Sequence, residues 1–227
     1  MNYKIVGQTV PVVEMTLNAG ETIYTQSGGM AYQTEGISMK TNARGGLGKS
    51  LGRLFSGESM FMANYTAEKD GAMVAFASTV PGAVIPVDLS QVGSMILQKG
   101  AFLCAEDSVQ TSVSFTKKFS SGFFGGEGFI LQKAEGNGMV FLEIDGDVIE
   151  KELAPGEVLK VDTGNVVAFD SRVSYEVEMV KGLGNIFLCG EGLFLTKLVG
   201  PGKVILQSQN FNDFAGKIIH LMPPSRN

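Results

Sequence analysis

Tryptophan is absent from this 227-residue chain, histidine occurs once and cysteine twice, and charged residues make up only 18% against a usual figure of about 25%. A single histidine, His220, with no second one near it and no cysteine cluster, leaves no ligand set for a transition metal. Cys104 and Cys189 have no CxxC spacing and no framework of further cysteines, so both read as small core residues in a reducing compartment. They stand in apolar runs, which raise a thiol's pKa, and no serine sits in Gly-x-Ser-x-Gly, so nucleophilic catalysis is disfavoured. There is no basic excess either: 18 Lys and Arg against 23 Asp and Glu give a net charge of −5, a poor basis for displacing counterions from nucleic acid. Long hydrophobic runs are missing as well. The longest uncharged stretch, 71–87, falls short of the ~18 residues of a spanning helix and is interrupted by Pro81 and Pro86. It reads as two buried strands around a turn. The first residues, Met1-Asn2-Tyr3-Lys4-Ile5, lack the basic-then-apolar pattern of a signal peptide, and the expected location is cytoplasmic.

Glycine, by contrast, is abundant. Thirty glycines are roughly twice the ordinary ~7% share, and each would cost a helix about 1 kcal/mol relative to alanine, which excludes a helical bundle. A hydrophobic fraction of 44% excludes disorder, because it supplies enough apolar surface to offset the entropy of ordering the chain.

The glycines fall into a repeating order. Leu17-Asn18-Ala19-Gly20-Glu21 is matched by Leu97-Gln98-Lys99-Gly100-Ala101 and by Leu153-Ala154-Pro155-Gly156-Glu157. After each come an apolar alternation, a glycine-rich excursion and an anchor: Gly57-Glu58, Gly126-Glu127-Gly128-Phe129 and Gly190-Glu191-Gly192-Leu193. A strand-like run and a turn glycine then follow, at Gly71, Gly138 and Gly202. The expected units are 1–80, 81–147 and 148–208, with a tail over 209–227. Each is small for a self-sufficient domain, so stacking or closing into a ring is expected.

Within the units the patterns are those of strands. Val173, Tyr175, Val177 and Met179 alternate with polar residues and belong on one face. Phe129-Ile130-Leu131 and Leu193-Phe194-Leu195 are apolar throughout, as in strands covered on both faces. Asp145-Gly146, between Val140–Ile144 and Val148-Ile149, predicts a two-residue hairpin. One helix is expected between Gln207 and His220, where Phe211, Phe214 and Ile218 stand at loose helical spacing.

The Leu-x-x-Gly openings, the anchor at 126–129, the Ser27-Gly28-Gly29-Met30 turn and the basic glycine-rich insertion at 44–57 together resemble the "altered inheritance of mitochondria" family and its bacterial homologues, over nearly the whole chain. The resemblance implies an all-β fold of the tryptophan RNA-binding attenuation protein-like (TRAP-like) superfamily. In it, three tandem double-stranded β-helix, jelly-roll-like units make up each chain, and three chains close a nine-unit ring. It implies a homotrimer, no cofactor and no agreed biochemical activity. Elementary physics agrees about assembly: a row of strand-rich units leaves unpaired edges at its ends, and a head-to-tail ring covers them.

Arg44-Gly45-Gly46-Leu47-Gly48-Lys49-Ser50 invites comparison with a phosphate-binding loop, but Ala43 stands where the first glycine should be. More informative are the apolar groups that precede the anchors, Leu54-Phe55, Phe123-Phe124 and Ile186-Phe187-Leu188, each with Lys or Arg before it. Gathered about an axis, they would form an apolar, base-rimmed surface suited to a protein partner or a membrane interface. The glutamates Glu58, Glu127 and Glu191, each beside a glycine at Gly57, Gly126 and Gly190, read as structural acceptors for turn N–H groups. The expected function is a non-catalytic, ring-shaped scaffold or binding protein presenting Gly/Phe-rich loops. The alternative, implied by the resemblance, is a regulator that binds a small molecule at repeat junctions.

Overall fold

The computed structural model describes residues 1–26, 29–43, 61–117, 129–179 and 194–222. It is all-β, with four antiparallel sheets among the described residues. A strand β1 (Asn2–Val6) precedes three successive runs of six. The first is β2 (Val12–Leu17), β3 (Thr22–Gln26), β4 (Met30–Gln33), β5 (Ile37–Ala43), β6 (Phe61–Ala67) and β7 (Ala72–Ala77). The second is β8 (Gly82–Asp88), β9 (Met95–Gln98), β10 (Phe102–Glu106), β11 (Val109–Lys117), β12 (Phe129–Gly136) and β13 (Met139–Asp145). The third is β14 (Val148–Leu153), β15 (Val158–Asp162), β16 (Val166–Asp170), β17 (Ser174–Met179), β18 (Phe194–Val199) and β19 (Gly202–Gln207).

Pairing follows one rule in all three runs. The orders β2-β7-β4, β8-β13-β10 and β14-β19-β16 correspond, as do β3-β6-β5, β9-β12-β11 and β15-β18-β17. A register shift recurs at the same place, between Met30 and Tyr32, between Phe102 and Cys104, and between Val166 and Ala168. Such a bulge bends the strand and steepens its twist. Successive runs share sheets, because β10 pairs with β3 and β16 pairs with β9. The result is two six-stranded middle sheets, flanked by β1-β2-β7-β4 on one side and β15-β18-β17 on the other.

Three hydrophobic cores result. One joins Val13, Met15 and Phe76 of the first sheet to Tyr65 and Phe141 of the second; another joins Tyr24 and Leu142 of the second to Leu97 and Val167 of the third; the last joins Phe129, Phe169 and Val204 to Leu198 of the fourth. Middle sheets are thus covered on both faces. This is why Val140-Phe141-Leu142 is apolar without alternation: Phe141 enters one core, Val140 and Leu142 the next. Each large side chain fully buried there contributes about 1.5–3 kcal/mol.

Two sequence expectations need correction. The turn that matches Leu17–Gly20 and Leu153–Gly156 in the second run is Leu89–Gly93, not Leu97–Gly100. Gly20, Gly93 and Gly156 all have positive φ, and the three leucines are buried. Gly93 closes a short helix α1 (Leu89–Val92) capped by the Asp88 side chain, whereas 99–101 forms a single 3-10 turn. Asp145-Gly146 is not a hairpin either. Gly146 does take the positive φ that the dipeptide favours, but β13 pairs with β8 and β10 while β14 pairs with β19, so the chain steps here from one sheet to the next. The helix near the C-terminus, α2 (Phe211–Leu221), starts beyond Gln207, because β19 extends through that residue.

Candidate functional site

The residues singled out in the sequence, Leu54, Phe55, Phe123, Phe124, Ile186, Phe187 and Leu188 with Gly57, Glu58, Gly126, Glu127, Gly190 and Glu191, lie outside the described residues, as does Cys189. Cys104 is described. It is fully buried, and burial pushes its thiol well above the ordinary range, which removes it as a nucleophile.

What the described residues do present is a pair of open strand edges. Inside the chain, β10 meets β3 through Cys104 opposite Thr25 and Ala105 opposite Tyr24, and β16 meets β9 through Ala168 opposite Leu97 and Phe169 opposite Ile96. All eight are buried. Thr25 Oγ1 donates to Leu103 O and Tyr24 Oη to Val109 O, so the polar atoms at the first contact are also satisfied. The corresponding strand of the first run, β4, pairs only with β7, and the corresponding strand of the third, β15, pairs only with β18. By the recurring bulge, Tyr32 stands where Cys104 and Ala168 stand, yet it is 41% exposed. On β15, Val158 is 51% exposed and Lys160 is exposed beside the ion pair it makes with Glu178 at 2.9 Å. Tyr32 Oη donates to Glu14 Oε1 at 2.6 Å, and Lys4 lies 2.7 Å from the other oxygen. The Lys4 bond, then the Tyr32 bond, hold the Glu14 carboxyl below its usual range.

A second feature is a clasp on the links between runs. Glu143 lies buried in apolar β13, and its Oε1 accepts from Ser78 Oγ at 2.9 Å, from Thr79 Oγ1 at 2.8 Å and from the N–H groups of Thr79 and Val80. Gln207 holds the corresponding place in β19. Its Oε1 accepts from Asp145 N at 3.0 Å and its Nε2 donates to Gly164 O at 2.9 Å. Each faces a valine across its strand pair, Val84 and Val148, as Ala77 of β7 faces Val12. Ala77 has only a methyl group, which makes no hydrogen bond. Sequence reading missed this device, although a glutamate inside Val-Phe-Leu-Glu-Ile was its visible signal.

Beside the clasp lies a cavity of about 180 Å³, lined by Glu143, Asp145, Gly164, Asn210 and Phe211. Asp145 Oδ2 accepts from Phe211 N at 3.1 Å at the start of α2. Burial, against the opposing Phe211 bond and with the neighbouring Glu143 charge, pushes the Asp145 carboxyl up. Along α2, Phe211, Phe214, Ile218 and Ile219 are exposed. Among the described residues no helix is long and apolar enough to cross a membrane, and no group of three or more His, Cys, Asp and Glu is placed to hold a metal ion.

Known proteins share this architecture. The chain is 32% identical over 225 residues to an uncharacterised protein of Streptococcus pyogenes serotype M6, covering 96% of this chain and 89% of that one. A crystal structure of a Streptococcus pyogenes protein superposes with a TM-score of 0.79 at 27% identity, covering 97% of this chain and 99% of the other. Residues 3–209 match the family described as "Mitochondrial biogenesis AIM24". On that match over nearly its whole length, the chain belongs to the AIM24 family.

Proposed function

We propose that this protein is a non-catalytic binding protein that works as a closed ring of its own copies, each chain supplying three tandem TRAP-like units. The observation that carries this reading is the match between β4 and β15. Each has the strand position that is paired and buried elsewhere in the chain, and each lacks that partner. Carrying the internal registers over puts Tyr32, Gln33 and Thr34 of one chain opposite Val161, Lys160 and Leu159 of the next. Such a contact is heterologous, and it escapes filament formation only if the rotation closes. Three chains, hence nine units, is the closure the family resemblance implies.

The ring would display its apolar segments together. Phe194 O accepts from Thr163 Oγ1, and the adjacent Gly164 lines the same cavity as Phe211. Phe194, the first described residue after 193, thus lies near the start of α2, whose exposed apolar side chains suit a protein or membrane-surface partner. A second reading, a regulator that binds a small molecule between units, has its support in a groove between the second and third sheets.

Native mass spectrometry tests the ring. Gly200 N donates to Glu157 O, so the alternate residue Lys160 turns its backbone groups to the open side of β15. The parent should fly at three times the chain mass. Lys160→Pro, which removes a donor from that edge, should give a monomer with an unchanged circular dichroism spectrum. A parent that stays monomeric at micromolar concentration overturns the reading.

A further inference from the structure

Beside its run of β2, β7 and β4, the first sheet carries one more strand. β1 extends it beyond β2, and there the Tyr3 ring meets Phe141 edge-on with centroids 5.0 Å apart. In the third sheet Ile205 holds the place of Phe141: Phe141 lies opposite Cys104 and Pro86, Ile205 opposite Ala168 and Glu150. Among the described residues the second sheet, however, ends at β8 and has no counterpart of β1. Where that strand would lie there is instead a groove of about 640 Å³, floored by Ile85, Val87, Met95 and Ile205, with Tyr3 and Val92 also lining it.

The edge of β8 keeps the groove open. Leu89 N donates to Gly138 O, which sets the odd residues of β8 toward β13 and turns the backbone groups of Val84, Pro86 and Asp88 outward. Pro86 has no N–H to offer at the centre of that edge, so a docking strand would lose a ladder bond there. The volume falls within the range of about 300–1,000 Å³ typical of small-ligand sites.

The groove's charges are unbalanced. Arg172 is engaged by both oxygens of Asp170 at 3.0 Å, Lys203 lies 2.7 Å from Glu150, and Asp88 accepts from Ser90 and Gln91. The Glu152 side chain makes no hydrogen bond or ion pair among the described residues, and its charge acts on Arg172. Both cations of the lining are thus already paired, and carboxylates outnumber them four to two.

We propose that this groove binds a small amphipathic amine, its aromatic or branched aliphatic body on Ile85, Val87, Met95 and Ile205 and its ammonium group drawn by Glu152 and the Tyr3 ring. This rests on the small-molecule reading and not on ring closure, because every lining residue belongs to one chain.

Isothermal titration of the full chain with 2-phenylethylamine, 2-phenylethanol and 3-phenylpropionate tests the assignment. The amine should bind at least about fivefold more tightly than the alcohol, and the anion most weakly. Glu152→Lys, at an exposed position, should invert the order of amine and anion. Val92→Trp, at a side chain 48% exposed, should fill the groove and abolish amine binding while the thermal midpoint is kept. Equal binding of all three probes, amine binding that survives Val92→Trp, or no amine binding at millimolar concentration overturns the proposal. In that last case a thermal-shift screen of other metabolite classes separates the two ideas: a raised midpoint with another class leaves the small-molecule reading standing and removes the amine.

Discussion

β10 and β4 occupy corresponding places, carry the same bulge and pair with corresponding strands, yet their outer sides meet different fates. β10 lies against β3, with Cys104 and Ala105 at 0% exposure; β4 meets no further strand among the described residues and holds Tyr32, Gln33 and Thr34 in water. The same contrast separates β9, with buried Ile96 and Leu97 against β16, from β15, with exposed Val158 and Lys160. Ala105 and Ile96 are apolar and buried where the neighbouring strand belongs to the same chain. Their counterparts Gln33 and Lys160 are polar and exposed on edges that meet no further strand among the described residues. A contact sealed during folding tolerates full hydrophobicity, whereas an edge that must persist in water until another molecule arrives needs side chains that keep a polar tip solvated.

The sharpest way to break this comparison is to put one charge at both places. Cys104→Lys would bury an unpaired ammonium and should cost at least about 3 kcal/mol, read as a loss of cooperative urea unfolding. Tyr32→Lys, on the open edge, should leave the urea midpoint of the single chain nearly unchanged. Similar losses at the two sites would erase the distinction. Next in size is the clasp. Glu143→Ala leaves the Thr79 hydroxyl and the N–H groups of Thr79 and Val80 without their acceptor, while Ser78 Oγ keeps Val80 O, and should lower stability by about 1–3 kcal/mol; Ala77→Gln should be close to neutral.

A smaller effect is expected from Asp145. Its folded pKa lies above the ordinary aspartate value of 3.8, so the folded chain holds this proton at pH values where the unfolded chain has lost it. Stability therefore falls as pH rises from 3.8 through the raised value. Asp145→Asn, which keeps an acceptor for Phe211 N, should flatten that portion of a pH–stability curve. An unchanged slope would assign the proton to another group. Least of all, Lys160→Ala, which removes only the exposed pair with Glu178, should leave the thermal midpoint of the single chain almost unchanged.

Much of the fold was legible in the sequence for reasons visible in particular residues. Glycine at Gly20 and Gly156 marked turns that need positive φ, with Glu21 and Glu157 accepting from Asn18 N and Ala154 N. Alternation at Val173, Tyr175 and Val177 marked a strand facing a core, and all three do belong to that of the third and fourth sheets. The middle turn departs from the Leu-x-x-Gly pattern because it is one residue longer: Gly20 and Gly156 stand three positions after Leu17 and Leu153, but Gly93 stands four after Leu89. Leu97–Gly100 carries the three-residue spacing but lies beyond that turn. Asp145-Gly146 misled because a positive φ serves a step between sheets as well as a hairpin. The site was less legible. Tyr32 and Lys160 look ordinary until their buried counterparts are aligned by pairing, and Glu143 shows its purpose only once Ser78 to Val80 are folded against it.

Composition and periodicity determined by themselves that this chain would be β-rich, glycine-turned and built around a large apolar interior, since backbone freedom and side-chain alternation are local properties. The tertiary structure alone decided which strand lies beside which. A strand's two-residue period is satisfied by any partner with a matching face, so nothing local distinguishes β3 from β12 as the neighbour of β10. Only the close packing of three cores selects Tyr24 beside Ala105 and Ile96 beside Phe169, and in doing so leaves the edges of β4 and β15 without a further strand among the described residues.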